Sequence, residues 1–326
     1  MTKNILVALK EPERAMMAFE SRLAAAFPGR LAVHGFDPGH DDQAIPADAE
    51  VLVTLGVHLG AQSDRVFAAA PDLKWVQLVG VGTDNVLGHP KLAADVAITN
   101  IRGLHGPQMS EAAFAAMLSF ARETPRLVRN QDRATWERFP ARRLYGRTVG
   151  IVGMGAIAAD LAPRCQAFGM TVVGFSASNR PTPGFDRIFD RADIARHAAE
   201  IDYLVVLTPH TPQTHHMIDA EVLAALGSDG VLVNLARGGV VDETALLAAL
   251  AKGTIRGAAL DVFETEPLRS DHPFWTLSNV VVTPHLGGFH ADYGDEVVAI
   301  VIDNMERYLS GGIGTLTNRL SRPKVP

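Results

Sequence analysis

Cysteine is almost missing from this 326-residue chain, where Cys165 stands alone. An intramolecular disulfide and a cysteine-only metal cluster are therefore excluded. No H-x-x-x-H pair with a third partner suggests another kind of metal site, so no metal is expected. Positive charge is not in excess either: 30 Lys and Arg face 36 Asp and Glu, a net charge of −6. Such a chain has no global electrostatic reason to bind nucleic acid or an anionic membrane, although a local basic pocket for a small anion is compatible with it. No apolar run is long enough to span a bilayer. The opening MTKNILVALKEPERAMM lacks the apolar core of a secretory signal. The expected compartment is the cytoplasm. Internal repeats and low-complexity tracts are also absent.

What is present is ordinary for a globular protein: 47% hydrophobic and 20% charged residues. Domains usually hold ~100–200 residues, so two are expected. Short apolar runs at Asn4–Ala8, Leu31–Phe36, Val51–Leu55, Trp75–Val79 and Val96–Asn100 read as strands. Helical spacing at Arg14–Ala26 and Ser63–Ala70 separates some of them, with Ser63 as a candidate N-cap. A second series follows, with strands at Thr148–Val152, Thr171–Phe175, Tyr203–Leu207, Gly230–Asn234, Gly257–Asp261 and Val280–Thr283 and a helix at Ala156–Phe168. This βαβ rhythm predicts mainly parallel sheets with helices on both faces. Gly106–Asn130 is a long apolar helical stretch in which Pro125 marks a kink or break. Its apolar face is wide enough to pack between two domains or against a second subunit. Gly294–Leu309 reads as a last helix and Asn318–Pro326 as a polar tail. Boundaries are expected near Ile101–Gly103 and Gly287–Gly288.

Gly153-Met154-Gly155-Ala156-Ile157-Ala158 reads G-x-G-x-x-A between a strand and a helix. That is the context a dinucleotide-binding turn needs. Gly153 allows the tight turn, Gly155 lets backbone approach a pyrophosphate, and Ala158 permits close packing. An acidic residue usually follows about 20 residues later to bind the ribose 2′-hydroxyl. Here Ser176 takes that place, and Ser178 and Arg180 follow. Nothing there repels a 2′-phosphate, so NADP is favoured over NAD; in the alternative, Arg180 is solvated and NAD binds through Ser176.

Three further motifs stand in order: Val233-Asn-Leu-Ala-Arg237-Gly-Gly, Asp261-Val-Phe-Glu-Thr-Glu266-Pro267 and Thr283-Pro284-His285-Leu-Gly287-Gly288. With Gly80-Val81-Gly82-Thr-Asp84 and Thr208-Pro-His-Thr211, they make the chain resemble the D-isomer-specific 2-hydroxyacid dehydrogenases over nearly its whole length. The resemblance implies an α/β fold of two doubly wound parallel-sheet domains. A Rossmann cofactor domain, residues 104–287, would be inserted into a flavodoxin-like substrate domain made of 1–103 and 288–326. It also implies a homodimer built around the cofactor domain, and closure of the domains around a small 2-keto acid of the glyoxylate or hydroxypyruvate type.

Residue chemistry agrees with the roles so implied. Arg237 is a charged planar fork for carboxylate and carbonyl oxygens. His285 can deliver a proton near neutral pH, and Glu266 would hold its other ring nitrogen and favour the imidazolium. By the same resemblance the amides of Gly80, Val81 and Gly82 hold the substrate carboxylate, Asp261 meets the nicotinamide carboxamide, and Thr208, Pro209 and Ala236 line the cofactor cleft. Some relatives are dinucleotide-sensing corepressors, and others act on sugar acids such as 2-ketogluconate; both remain alternatives. Formate dehydrogenases carry Gln where Glu266 stands, and phosphite dehydrogenases carry Lys where Val81 stands. Ser110-Glu111-Ala112 departs from the usual Ala-Glu-His. Phosphoglycerate dehydrogenases often add a carboxy-terminal regulatory domain, and none is expected up to Pro326. His210, His215, His216, His89, His105 and His272 read as solvated or structural. His290 and Trp275 are candidates for the substrate mouth, and Cys165 for the core.

Overall fold

Val, Ile and Leu dominate the short strands, as a parallel sheet requires when helices cover both faces. The computed structural model describes residues 2–40, 42–178 and 180–322. It forms two units, Met1–Leu104 with His290–Pro326, and His105–Phe289. The second is inserted between two segments of the first.

The first unit holds β1 (Lys3–Ala8), β2 (Leu31–Phe36), β3 (Ala49–Thr54), β4 (Trp75–Leu78) and β5 (Ala97–Thr99). All pair in parallel, in the order β2-β1-β3-β4-β5. That is the flavodoxin-like arrangement. The last helix, Tyr293–Gly311, returns to this unit. Its buried Asn304 donates to Gln77 Oε1 at 2.9 Å, and Gln77 also accepts the Thr99 hydroxyl at 2.8 Å. The expected polar tail is partly structured: Leu320 N–H donates to Ile98 C=O at 2.8 Å beside an antiparallel Thr99–Arg319 bridge. Residues 323–326 lie outside the described residues.

The second unit holds β6 (Thr148–Val152), β7 (Thr171–Ser176), β8 (Arg187–Asp190), β9 (Tyr203–Val206), β10 (Val231–Asn234), β11 (Gly257–Leu260) and β12 (Val280–Val282). The order β12-β11-β10-β9-β6-β7-β8 is again parallel throughout. The winding reverses between β6 and β9, which makes that position the switch point of the sheet.

Several local expectations are corrected. Arg14–Ala26 is two helices, Glu13–Met17 and Phe19–Ala26, separated by Ala18 at φ +43°. Ser63 does not cap; its hydroxyl donates to Gly60 C=O at 2.9 Å from the first helical position. Gly106–Asn130 breaks beside Pro125 as expected, into the helices Gly106–Ala121 and Thr124–Asp132, which are separated at Glu123 (φ +55°). Pro125 opens the second, where a missing N–H costs nothing. Met109, Ala113, Met117 and Phe120 of the first helix pack in a core with Leu161, Cys165, Val205 and Val233 of the same unit. That side of its wide apolar face therefore covers its own sheet. Burial pushes the Cys165 thiol up to about 12.

Candidate active site

Three neighbouring strands of the second unit end where the candidate catalytic residues begin. β10 runs into Leu235–Arg237, β11 into Asp261, and β12 into Thr283–His285. Ligands of open parallel sheets bind beyond such carboxyl ends.

His285 Nδ1 lies 2.8 Å from Glu266 Oε2. The second carboxylate oxygen, Oε1, accepts the Phe263 N–H at 3.0 Å. Burial pushes the Glu266 carboxyl up, but the bonds from His285 and Phe263, with the pull of His285 and Arg237, hold it below the usual carboxylate range. An ionised carboxylate only accepts, so Nδ1 carries the hydrogen and Nε2 is the ring atom left to exchange a proton.

The His285 backbone takes φ +54°, a region an L side chain rarely adopts. Its N–H donates to the Asp261 C=O at 2.8 Å. The buried Asp261 carboxylate accepts the Leu286 and Gly287 N–H groups at 2.8 and 2.9 Å, and the Thr283 hydroxyl. Asp261 thus grips the loop on both sides of His285.

Arg237 is half-buried, and one guanidinium N–H donates to the Ala236 C=O at 2.7 Å. At Gly238 an added Cβ would fall 1.9 Å from the Phe263 carbonyl carbon. Only glycine lets the Arg237 turn close onto the segment that carries Glu266.

The glycine turn sits at the switch point. Gly153 has φ +97°, and a Cβ there would lie 2.8 Å from the Thr208 backbone. Gly155 precedes the helix Ala156–Ala167, and its added Cβ would meet nothing within 4 Å. Packing therefore does not demand glycine at that position. With no side chain capping the helix, this cradle fits a pyrophosphate. Ala156 is exposed, Ile157 half-buried and Ala158 buried, while Met154 packs toward Gly174. Thr208 and Ala236 are buried and Pro209 is exposed. The buried Thr214 hydroxyl donates to Pro209 C=O and accepts the Thr211 N–H, both at 2.7 Å.

Ser176 ends β7, and its hydroxyl accepts the Ser178 N–H at 3.3 Å. Ser178 and Arg180 are exposed. Asp190 pairs in register with Ser176, and its carboxylate is turned to the Ala192 N–H at 2.9 Å.

In the first unit, Gly80, Val81 and Gly82 follow β4. Gly80 is buried against Leu55, and the Val81 C=O accepts from Asn100 Nδ2 at 3.2 Å. The Tyr293 hydroxyl donates to the preceding Val79 C=O at 3.0 Å.

The family described as D-isomer specific 2-hydroxyacid dehydrogenase, NAD binding domain, matches residues 114–287. This chain belongs to that family. It is 34% identical over 304 residues to a glyoxylate/hydroxypyruvate reductase B of Yersinia pestis (strain Pestoides F), covering 87% of this chain and 91% of that protein. It is 33% identical over 286 residues to a D-3-phosphoglycerate dehydrogenase of Methanocaldococcus jannaschii, covering 86% of this chain and 53% of that protein. The chain thus spans about half the length of the phosphoglycerate dehydrogenases it matches. A crystal structure of an NADPH-dependent glyoxylate/hydroxypyruvate reductase from Sinorhizobium meliloti, in complex with NADP and sulfate, superposes with a TM-score of 0.83 at 31% identity. That match covers 98% of each chain.

In this family member the structure adds partners that sequence reading misses. Asn234, Thr283, Thr214 and Asn100 are polar side chains bonded to the loops that carry the candidate residues. Each stands in or beside an apolar strand or a Thr-rich loop, where spacing says nothing about side-chain direction. His210, His215 and His216 form a cluster rather than separate solvated groups. His210 Nε2 lies 3.1 Å from His215 Nδ1, the His215 and His216 rings stack at 3.8 Å, and His216 Nε2 meets Glu264 at 2.9 Å. His89 pairs with Asp64 at 3.2 Å. His272 Nδ1 accepts the Phe274 N–H at 3.3 Å, and His290 packs edge-on to Tyr293. Trp275 donates to the Arg269 C=O at 2.8 Å and is half exposed. Among the described residues no group of three His, Cys, Asp or Glu could hold a metal ion, and no helix is long and apolar enough to cross a membrane.

Proposed function

We propose that the chain reduces small 2-keto acids of the glyoxylate or hydroxypyruvate type to D-2-hydroxy acids, with NADP preferred over NAD. The observation that carries this reading is the 2.8 Å contact of His285 with Glu266, with Arg237 acting on the same carboxylate. Similarity to a glyoxylate/hydroxypyruvate reductase over 91% of its length supports the substrate class.

The roles follow from residue chemistry. Residues 104–287 serve the cofactor, and residues 1–103 with 288–326 serve the substrate. Gly153, Met154, Gly155, Ala156 and Ile157 offer backbone to the pyrophosphate. Ser176, Ser178 and Arg180 take the 2′-phosphate, and Thr208, Pro209 and Ala236 line the cofactor. Asp261 spends three acceptor positions on the His285 loop and keeps one for the nicotinamide carboxamide. When bound, the reduced nicotinamide supplies the hydride for the substrate carbonyl. The Gly80, Val81 and Gly82 amides hold the substrate carboxylate, and Arg237 stabilises the developing charge on the carbonyl oxygen. His285 Nε2 delivers the proton to that oxygen, and in the reverse direction removes it. Trp136, Leu127 and Val128 are exposed apolar residues of the second unit; they support a homodimer in which a second copy covers them.

The test is a near-ultraviolet absorbance assay with NADPH and NADH separately. Substrates would be glyoxylate, hydroxypyruvate, pyruvate, 2-ketogluconate and 3-phosphohydroxypyruvate, the last because of the phosphoglycerate dehydrogenase similarity. Faster NADPH oxidation with glyoxylate or hydroxypyruvate is expected. Oxidation only with NADH would overturn the cofactor preference, and turnover of none would overturn the enzyme reading.

A further inference from the structure

We infer that Asn234 is a positioning residue that sets the Arg237 turn for the reaction; the inference uses the proposed role of Arg237 and nothing else of the functional reading. Asn234 is the last residue of β10 and is buried. Both ends of its side-chain amide are spent on the turn. Nδ2 donates to the Arg237 C=O and Oδ1 accepts the Ala236 N–H, each at 3.1 Å.

The backbone of Asn234 does a second job. Its C=O accepts the Asp261 N–H at 3.0 Å. Asp261 in turn grips the loop around His285. One buried residue therefore registers Arg237 against Asp261, which grips the His285 loop.

The task needs one donor and one acceptor at fixed spacing in a plane. Asn supplies both; Asp lacks the donor and Leu lacks both. The turn has little other freedom, because Gly238 is already closed onto Phe263 and Glu264. Loss of the amide would leave the Ala236 N–H and the Arg237 C=O without these partners, and the turn would relax in the direction Gly238 leaves open.

The test compares Asn234→Ala and Asn234→Asp with the wild-type chain, alone and combined with Arg237→Ala. If Asn234 acts through Arg237, Asn234→Ala should lower kcat/KM for glyoxylate roughly ten- to a hundredfold. In the Arg237→Ala background it should cost less than about twofold, because contacting residues are non-additive. Hydrogen exchange over residues 235–239 should quicken, while β9 and β11 stay protected. An equal loss in both backgrounds would overturn the inference, and so would unchanged exchange at 235–239. If Asn234→Ala does not fold, Asn234→Asp gives the same comparison, since it keeps the acceptor and loses the donor. A wild-type chain inactive on every keto acid would remove the functional reading and the role of Arg237 with it, and exchange at 235–239 would then decide only whether Asn234 holds the turn in place.

Discussion

His285 is tied to Asp261 through both backbone and side chain. Its N–H meets the Asp261 C=O at 2.8 Å, and the Asp261 carboxylate takes the next two N–H groups, those of Leu286 and Gly287, at 2.8 and 2.9 Å. Between these grips His285 holds its left-handed φ of +54°. A conformation of that kind persists only where the surroundings over-determine it. The carboxylate is therefore part of how the ring is aimed.

Asp261→Asn keeps the shape but turns one acceptor into a donor that faces an N–H. Turnover of the proposed keto acids should fall about ten- to a hundredfold, with a stability loss of ~1–3 kcal/mol. Steady-state kinetics and urea unfolding check both. An unchanged kcat would show that the loop keeps its geometry without the carboxylate.

His285→Ala removes the proton donor and leaves the glycine turn intact. Turnover should drop by at least ~10²–10⁴, the usual worth of a positioned acid or base. NADPH affinity, read by fluorescence titration, should stay within about twofold, since no cofactor contact is assigned to the ring. Loss of cofactor binding as well would make His285 structural.

The two sheets are legible in the sequence because most of their strands are short apolar runs bounded by turns. β8 is not: Arg187-Ile-Phe-Asp190 is short and charged, which an edge strand tolerates. The helix break at Ala18 is invisible because that residue is not the Gly or Asn that usually marks a left-handed turn, whereas the break at Glu123 is announced by Pro125 two residues on. Arg237, Glu266 and His285 are legible as candidates, since each residue type offers chemistry few others can supply. Asn234 is hidden because, at the end of an apolar strand, it reads as one more strand position. Its direction is set by the turn that folds back over it, which no spacing encodes.

Arg180 is exposed on the loop after β7, in a chain that carries Ser176 where a carboxylate would select NAD. One guanidinium–phosphate contact is worth ~1.5–3 kcal/mol. Arg180→Ala should therefore weaken NADPH about ten- to a hundredfold and NADH less than about twofold. Equal effects on both cofactors, in parallel titrations, would remove Arg180 from the 2′-phosphate site.

Glu50 makes a pH prediction for the first unit. Burial raises its carboxyl, but Lys3 at 2.8 Å, Lys74 at 2.7 Å and the Tyr308 hydroxyl at 3.1 Å bring it down to about 2 from the usual 4.5. A lowered carboxyl contributes stability that is complete above the unfolded value and disappears as pH falls through the folded one. The span from 4.5 to about 2 corresponds to on the order of 3 kcal/mol. Glu50→Gln should thus be less stable than wild type by ~2–3 kcal/mol at pH 7, with the gap closing between about pH 4.5 and pH 2. Urea unfolding across that range measures it, and a gap that stays constant with pH would rule out the ion-pair origin.

Trp136 is 92% exposed, with Leu127 and Val128 about half exposed on the nearby helix. A Trp side chain presents ~150–250 Å² of mostly apolar surface, which a protein seldom leaves in water without a partner. If a second copy covers it, sedimentation should give twice the 34.9 kDa chain mass at micromolar concentration. Trp136→Arg replaces an exposed aromatic ring with a charge, and aromatic anchors carry most binding energy at an interface, so it should weaken self-association at least ~10²-fold. The variant should keep its thermal stability as a monomer, because the wild-type ring contributes little to the unit's own core. A wild-type chain that sediments as a monomer, or a variant that still dimerises with wild-type affinity, would take Trp136 out of the interface.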